Sequence, residues 1–119
     1  SAMDCIDAKP FSLYINGFGR FRRTGGDIYW RGIKPNKELE KIYGQLTKAL
    51  IDRGFAIDVR PFKPHLTLGR QVVVKDGFDR YDFEKNLPKL RADVNRISLM
   101  KSERINGRLT YTEIYGIDL

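Results

Sequence analysis

One cysteine and one histidine occur in the 119 residues, and each scarcity closes a class of chemistry. A lone Cys5 can form no disulfide within the chain and builds no Cys-based zinc cluster, and it fits a reducing compartment. A lone His65 without Cys partners gives a metal ion too few ligands. No apolar run approaches the ~20 residues of a membrane-spanning helix. No signal peptide opens the chain, no repeat or low-complexity tract interrupts it, and no linker divides it. Ser1-Ala2-Met3 reads as a vector remnant ahead of a chosen start. These absences lead us to expect a cytoplasmic chain folded as one compact domain, residues 1–119.

What is abundant is apolar surface and positive charge. Hydrophobic residues make up 41% and aromatics 12% of the sequence, enough for a packed core. Lys and Arg number 22 against 15 acids, for a net charge of +7. That balance favours polyanions through counterion release without implying sequence specificity. Many basic domains never touch nucleic acid, so charge alone does not decide the matter.

Phe11, Leu13 and Ile15 alternate with polar or exposed-type residues and predict a half-buried strand, which Gly17 and Gly19 end. Thr24-Gly25-Gly26 predicts a turn, followed by a strand over Ile28 to Ile33 that contains Trp30. Asn36 can cap a helix whose first turn carries Glu38 and Glu40. Its apolar stripe is Leu39, Ile42, Tyr43, Leu46, Ala49 and Leu50, and Gly54 can terminate it in the left-handed conformation. Pro61 and Pro64 forbid helix around Phe62, and Leu66 to Val74 reads as strand. Asp82 to Leu90 reads as a short helix with Pro88 awkwardly inside. Val94 to Glu103 and Arg108 to Ile117 read as strands joined at Asn106-Gly107, a type I′ hairpin signal. The order β-β-α-β-α-β-β predicts an α+β fold with two helices on one face of an antiparallel-rich sheet.

The chemistry concentrates in Pro61 to Arg70. An imidazole with an ordinary pKa near ~6.5 suits proton transfer at neutral pH. On a strand, His65 and Thr67 point to one face, while Leu66 and Leu68 are expected to point into the core. The imidazole can move a proton while the hydroxyl donates to a phosphoryl oxygen. Arg70 can add a guanidinium fork, although strict alternation puts it on the other face and a bend at Gly69 is needed to bring it round. By residue type alone, a lone strand His is more often structural, and Thr is an ordinary strand residue.

Pro64-His65-Leu66-Thr67-Leu68-Gly69-Arg70 resembles the second HxTxxR signature of the two-histidine (2H) phosphoesterases. The branch it is most similar to is the RNA 2′,3′-cyclic phosphodiesterases, historically called 2′-5′ RNA ligases. The surrounding chain is similar in the same order: Phe11 to Phe21, the Trp-containing strand Ile28 to Ile33, and Leu99 to Glu103 followed by a hairpin and Tyr111. The resemblance implies one lobe of a bilobal fold, the C-terminal one, acting without metal or nucleotide cofactor on RNA or a nucleotide that ends in a 2′,3′-cyclic phosphate. It implies His65 as a general acid or base, Thr67 as its catalytic partner and a phosphate ligand, and Arg70 as a second phosphate ligand. Arg60, Lys63 and Lys101 are candidate contacts to an RNA backbone. It further implies a first lobe with its own HxT upstream of Met3, making Met3 to Ala8 the tail of a linking helix. The second proton-transfer group is expected from that missing half or from a second copy in a homodimer, and the isolated chain is expected to be impaired.

Two other readings compete. Asn16 to Phe21 faintly echoes the RNP1 pattern of RNA-recognition domains, which suggests a non-catalytic basic module for single-stranded RNA, with Phe21-Arg22-Arg23 gripping phosphates from a loop. A solvated basic loop is the bland counterpart. The third reading is an interaction domain left by a degenerate enzyme, against which intact His65, Thr67 and Arg70 argue. Gly17-Phe18-Gly19 fails as a dinucleotide fingerprint, since no third glycine follows at the required spacing.

Overall fold

A computed structural model describes residues 1–58 and 61–119. The order of elements is a 3₁₀ turn (Ala2–Cys5), β1 (Phe11–Ile15), β2 (Gly19–Phe21), β3 (Asp27–Gly32), α1 (Lys37–Asp52), β4 (His65–Val72), α2 (Arg80–Lys85), β5 (Leu90–Val94), β6 (Arg96–Ile105) and β7 (Arg108–Asp118). The class is α+β, with the strands shared among three sheets: β1-β5, β2-β3-β4 and β6-β7. The chain folds into two compact units. One comprises Ser1–Phe11, Asn36–Arg60 and Asp93–Leu119; the other comprises Ser12–Pro35 and Pro61–Ala92.

In the first unit, α1 starts where the sequence says it should. The Asn36 side chain accepts a hydrogen bond from the Leu39 amide at 3.0 Å, and Glu38 and Glu40 occupy the first turn. Ile42 and Ala49 are buried on its apolar stripe, and Gly54 follows at φ 86°. Met3, on the 3₁₀ turn, is the third buried apolar residue of this unit. That turn stands in place of the helical tail expected over Met3 to Ala8. The β6-β7 ribbon turns at Asn106 and Gly107, both at positive φ (51° and 77°), as a type I′ turn requires.

The second unit holds the other elements. Strand β3 lies between β2 and β4, antiparallel to both. The sequence stopped the first strand at Gly17-Gly19 and missed β2, a strand of three residues. Its Gly19 packs under the indole of Trp30, where a Cβ would overlap the ring. The second helix is shorter than expected and displaced: Asp79 caps it by accepting from the Tyr81 and Asp82 amides, and it ends at Lys85, before Pro88 could interrupt it. The segment from Leu90 is instead strand β5. Tyr29 and Ile15 are buried, as is Arg31. The Arg31 guanidinium donates to the carbonyls of Gly17 (2.7 Å) and Pro88 (2.8 Å), tying the turn after β1 to the chain that enters β5.

Candidate active site

Strand β4 departs from regular pairing twice. Gly32, Arg31 and Trp30 of β3 face His65, Leu66 and Thr67 in order; then Tyr29 faces Gly69, and Asp27 faces Val72. Each departure inserts one extra residue on β4, a β-bulge. The first extra residue is Leu68. The second falls between Gly69 and Val72, where Gln71 takes φ 55°, a left-handed conformation unusual for a residue with a side chain. Gly26 explains how this stretch fits: a Cβ there would sit 2.5 Å from the Gln71 carbonyl carbon, so only glycine lets the 24–26 turn approach β4 so closely.

The first bulge decides the site. Residues that face each other across an antiparallel pair share a side of the sheet. His65 and Thr67 therefore lie on the side of Trp30. Gly69 lies on the side of Tyr29, so Arg70, one residue on, returns to the side of Trp30, His65 and Thr67. The bend that the sequence required at Gly69 is supplied one residue earlier, by the bulge at Leu68. Arg70 is exposed, and among the described residues its guanidinium has no hydrogen-bond or ion-pair partner.

His65 is exposed but held. Its Nδ1 lies 2.7 Å from the Lys63 carbonyl oxygen. A carbonyl can only accept, so Nδ1 carries the proton and Nε2 keeps a free lone pair in the neutral ring. Phe21 meets the imidazole edge-on at 5.2 Å between centroids, and Trp30 lies at 6.3 Å. Phe21 and Trp30 pack against each other at 5.5 Å. The imidazole thus stands on an aromatic floor built by β2 and β3, with half-buried Thr67 beside it.

The leucines correct one expectation. Leu66 and Leu68 are 46% and 50% exposed, not core. They do turn away from the His65 side, but that side of β4 is covered only in part. Leu68 lines an open apolar cavity of about 220 Å³ with Phe18, Tyr29, Phe78 and Phe83.

The other basic candidates part company. Lys63 contributes its backbone carbonyl to His65. Lys101 belongs to the first unit and pairs with Glu103 at 3.1 Å. Arg60 lies outside the described residues. What the sequence reading underweighted is Phe21. Only pairing β2 with β3 puts it on the same side as Trp30 and His65, and no spacing within the sequence carries that information. No three His, Cys, Asp or Glu side chains among the described residues cluster closely enough to hold a metal ion, and no helix is long and apolar enough to cross a membrane.

Comparison with known proteins bears on the same residues. A family model described as the 2′-5′ RNA ligase superfamily matches residues 2–106. The RNA 2′,3′-cyclic phosphodiesterase of Bacillus subtilis is 32% identical over 117 residues, 95% of this chain and 61% of that protein. The protein of the same name from Geobacillus stearothermophilus is 40% identical over 73 residues, 59% of this chain and 23% of that protein. In fold, the chain is similar to E. coli LigT crystallised with 3′-AMP, with a TM-score of 0.75 at 23% identity over 99% of this chain and 64% of that one. The chain thus spans less than two thirds of each of these relatives. With its HxTxxR strand inside the matched region, the chain belongs to the 2′-5′ RNA ligase superfamily of two-histidine phosphoesterases.

Proposed function

We propose that His65, Thr67 and Arg70 form one half of a metal-independent site that opens the 2′,3′-cyclic phosphate at the end of an RNA, leaving a phosphomonoester. The observation that carries this reading is the bulge at Leu68, which gathers an imidazole, a hydroxyl and an unpaired guanidinium on one side of β4. The names of the Bacillus and Geobacillus relatives point to the same substrate. In-line displacement at phosphorus needs a base to take a proton from the attacking water and an acid, on the opposite side, to protonate the departing ribose oxygen. His65 through Nε2 fills one of these roles. Thr67 donates to a non-bridging oxygen, and Arg70 balances the charge that grows on the equatorial oxygens.

The chain has no other histidine. We therefore place the second proton-transfer group outside these 119 residues, on a further part of a longer protein or on a second copy in a homodimer, with this chain alone impaired. A reducing, cytoplasmic compartment suits the single exposed Cys5.

The test is hydrolysis of 2′,3′-cyclic AMP without added metal by this chain, by its H65A variant, and by each after adding the upstream portion of a relative. Turnover that depends on His65 in any of these supports the reading. Turnover that survives H65A in all of them removes it. A non-catalytic RNA module, the second reading, binds single-stranded RNA equally well after H65A and hydrolyses nothing.

A further inference from the structure

Beside the His65 group lies a feature that cyclic phosphate hydrolysis does not use. Arg20, Arg22, Arg23, Thr24 and Asp27 line a shallow basin of about 540 Å³ on the chain that joins β2 to β3. Its charges are not mutually cancelled. Asp27 is engaged by Arg20 at 3.4 Å and accepts from the Arg23 amide at 3.0 Å. That leaves the guanidinium groups of Arg22 and Arg23 without an acidic partner among the described residues, and both residues are exposed. Arg23 is held in place: it donates to the Arg22 carbonyl at 2.8 Å, and its guanidinium carbon lies 5.6 Å from the centre of the Phe21 ring. Phe21 in turn is the ring that meets His65 edge-on. Arg20 and Asp27 lie on the Tyr29 side of the sheet, and Arg23 reaches round to the side of His65 through its contact with Phe21. Gly26 packed against Gln71 fixes the loop to the strand that carries the site.

We infer that Arg22 and Arg23 bind the backbone phosphodiester on the 5′ side of the terminal nucleotide, so that this protein takes an oligoribonucleotide end in preference to a free mononucleotide. The direction follows from the chemistry of the substrate. A 2′,3′-cyclic phosphate exists only at a 3′ end, so every further phosphate of the RNA lies 5′ of it. With the terminal phosphate at Thr67 and Arg70, the terminal nucleoside spans the Phe21 and Trp30 floor, and the next phosphate falls toward Arg23. Two exposed guanidinium groups suit a solvated phosphodiester, which demands charge and donors but no base-specific contacts. The inference rests on the proposed role of His65, Thr67 and Arg70.

The experiment measures binding, which does not require the second half of the machinery. A fluorescein-labelled pentaribonucleotide ending in a 3′-phosphate, and 3′-AMP as its competitor, are titrated against the wild-type chain, R22A/R23A, R22K/R23K and H65A. Titrations are run at two salt concentrations, with circular dichroism as the folding control. R22A/R23A is expected to bind the pentanucleotide about tenfold more weakly, with the salt slope reduced by about 1.4, the single-strand value for two contacts. Affinity for 3′-AMP stays at the wild-type value, and R22K/R23K restores most of the oligonucleotide affinity and slope. H65A is expected to weaken both ligands alike. If R22A/R23A leaves the pentanucleotide affinity and slope unchanged while H65A weakens both ligands, the inference is overturned and the reading of His65 stands. If R22A/R23A weakens 3′-AMP as much as the pentanucleotide, the loop serves the terminal phosphate and the inference is again overturned. If H65A changes neither ligand, the reading of the site fails and the inference falls with it, whatever the arginines do.

Discussion

The carbonyl oxygen of Lys63 lies 2.7 Å from Nδ1 of His65. This contact comes from the chain just before β4, where Pro64 restricts the Lys63 backbone to extended conformations. It leaves Nε2 as the only ring nitrogen free for proton transfer. Asn can place an amide N–H near the position of Nδ1–H and keep the bond to Lys63, but it offers no titratable nitrogen. H65N is therefore expected to lower turnover of 2′,3′-cyclic AMP, in whichever assembly is active, by about 10²–10⁴-fold, the usual worth of a positioned acid or base. Steady-state kinetics showing an H65N enzyme as active as wild type would reject His65 as the proton-transfer group.

Trp30 is the only tryptophan in the chain, and its ring centre lies 6.3 Å from that of His65. A ligand seated against the imidazole therefore changes the surroundings of the indole. Trp30 emission is expected to change when 3′-AMP is added, and that change is expected to be lost in H65A. A change of equal size in H65A would mean that 3′-AMP binds away from His65.

Much of this arrangement was legible in the sequence and some was not. Helix α1 was, because Asn36, the Glu38 and Glu40 charges and the apolar stripe agree over sixteen residues. The β6-β7 turn was, because Asn106-Gly107 supplies the two positive φ angles by residue type. His65 and Thr67 were, because period-two alternation holds between them. Alternation failed one residue later. A bulge is set by how β4 pairs with β3, so neither the exposure of Leu66 and Leu68 nor the return of Arg70 could be read from spacing. Strand β2 escaped for a related reason: at three residues it is too short to show a period, and it exists because Gly19 admits the Trp30 ring.

Arg70 gives the bulge a functional readout. An exposed guanidinium that meets a phosphate makes charge-assisted hydrogen bonds weakened by solvent, so R70A is expected to bind 3′-AMP about five- to tenfold more weakly. R70K falls between, since an ammonium keeps the charge but loses the fork. Wild-type affinity in R70A would mean that Arg70 does not reach the phosphate.

Arg31 tests the scaffold rather than the chemistry. It is 4% exposed, and its bonds go to two backbone carbonyls, those of Gly17 and Pro88. R31A strands both acceptors, and at about 1–3 kcal/mol for each unsatisfied group the loss is expected to total roughly 2–6 kcal/mol in urea unfolding. R31M keeps the apolar stem and is expected to lose less, because packing survives while the hydrogen bonds do not. Equal losses in the two variants would show that stability there comes from the hydrogen bonds alone.

The first unit carries a pH-dependent clasp between Asp4 on the 3₁₀ turn and Tyr115 on β7, where the phenol donates to the carboxylate. That bond, with help from the Ser1 ammonium, holds the Asp4 carboxyl below its ordinary value of 3.8. It pushes the Tyr115 phenol above its ordinary 10.0. A depressed carboxyl contributes stability that is complete above its unfolded value and is lost as pH falls through the depressed one. A raised phenol contributes stability that is complete below its unfolded value and is lost as pH rises through the raised one. The clasp is therefore intact across the neutral range and fails at both ends. Urea unfolding of wild type and D4N should differ by a constant amount above about pH 5 and converge below pH 4. Absorbance at 295 nm should show one of the six tyrosines ionising later than the rest, and Y115F should remove that late step alone. A D4N difference that stays constant down to pH 2 would place the stabilising contact elsewhere than on the Asp4 carboxylate.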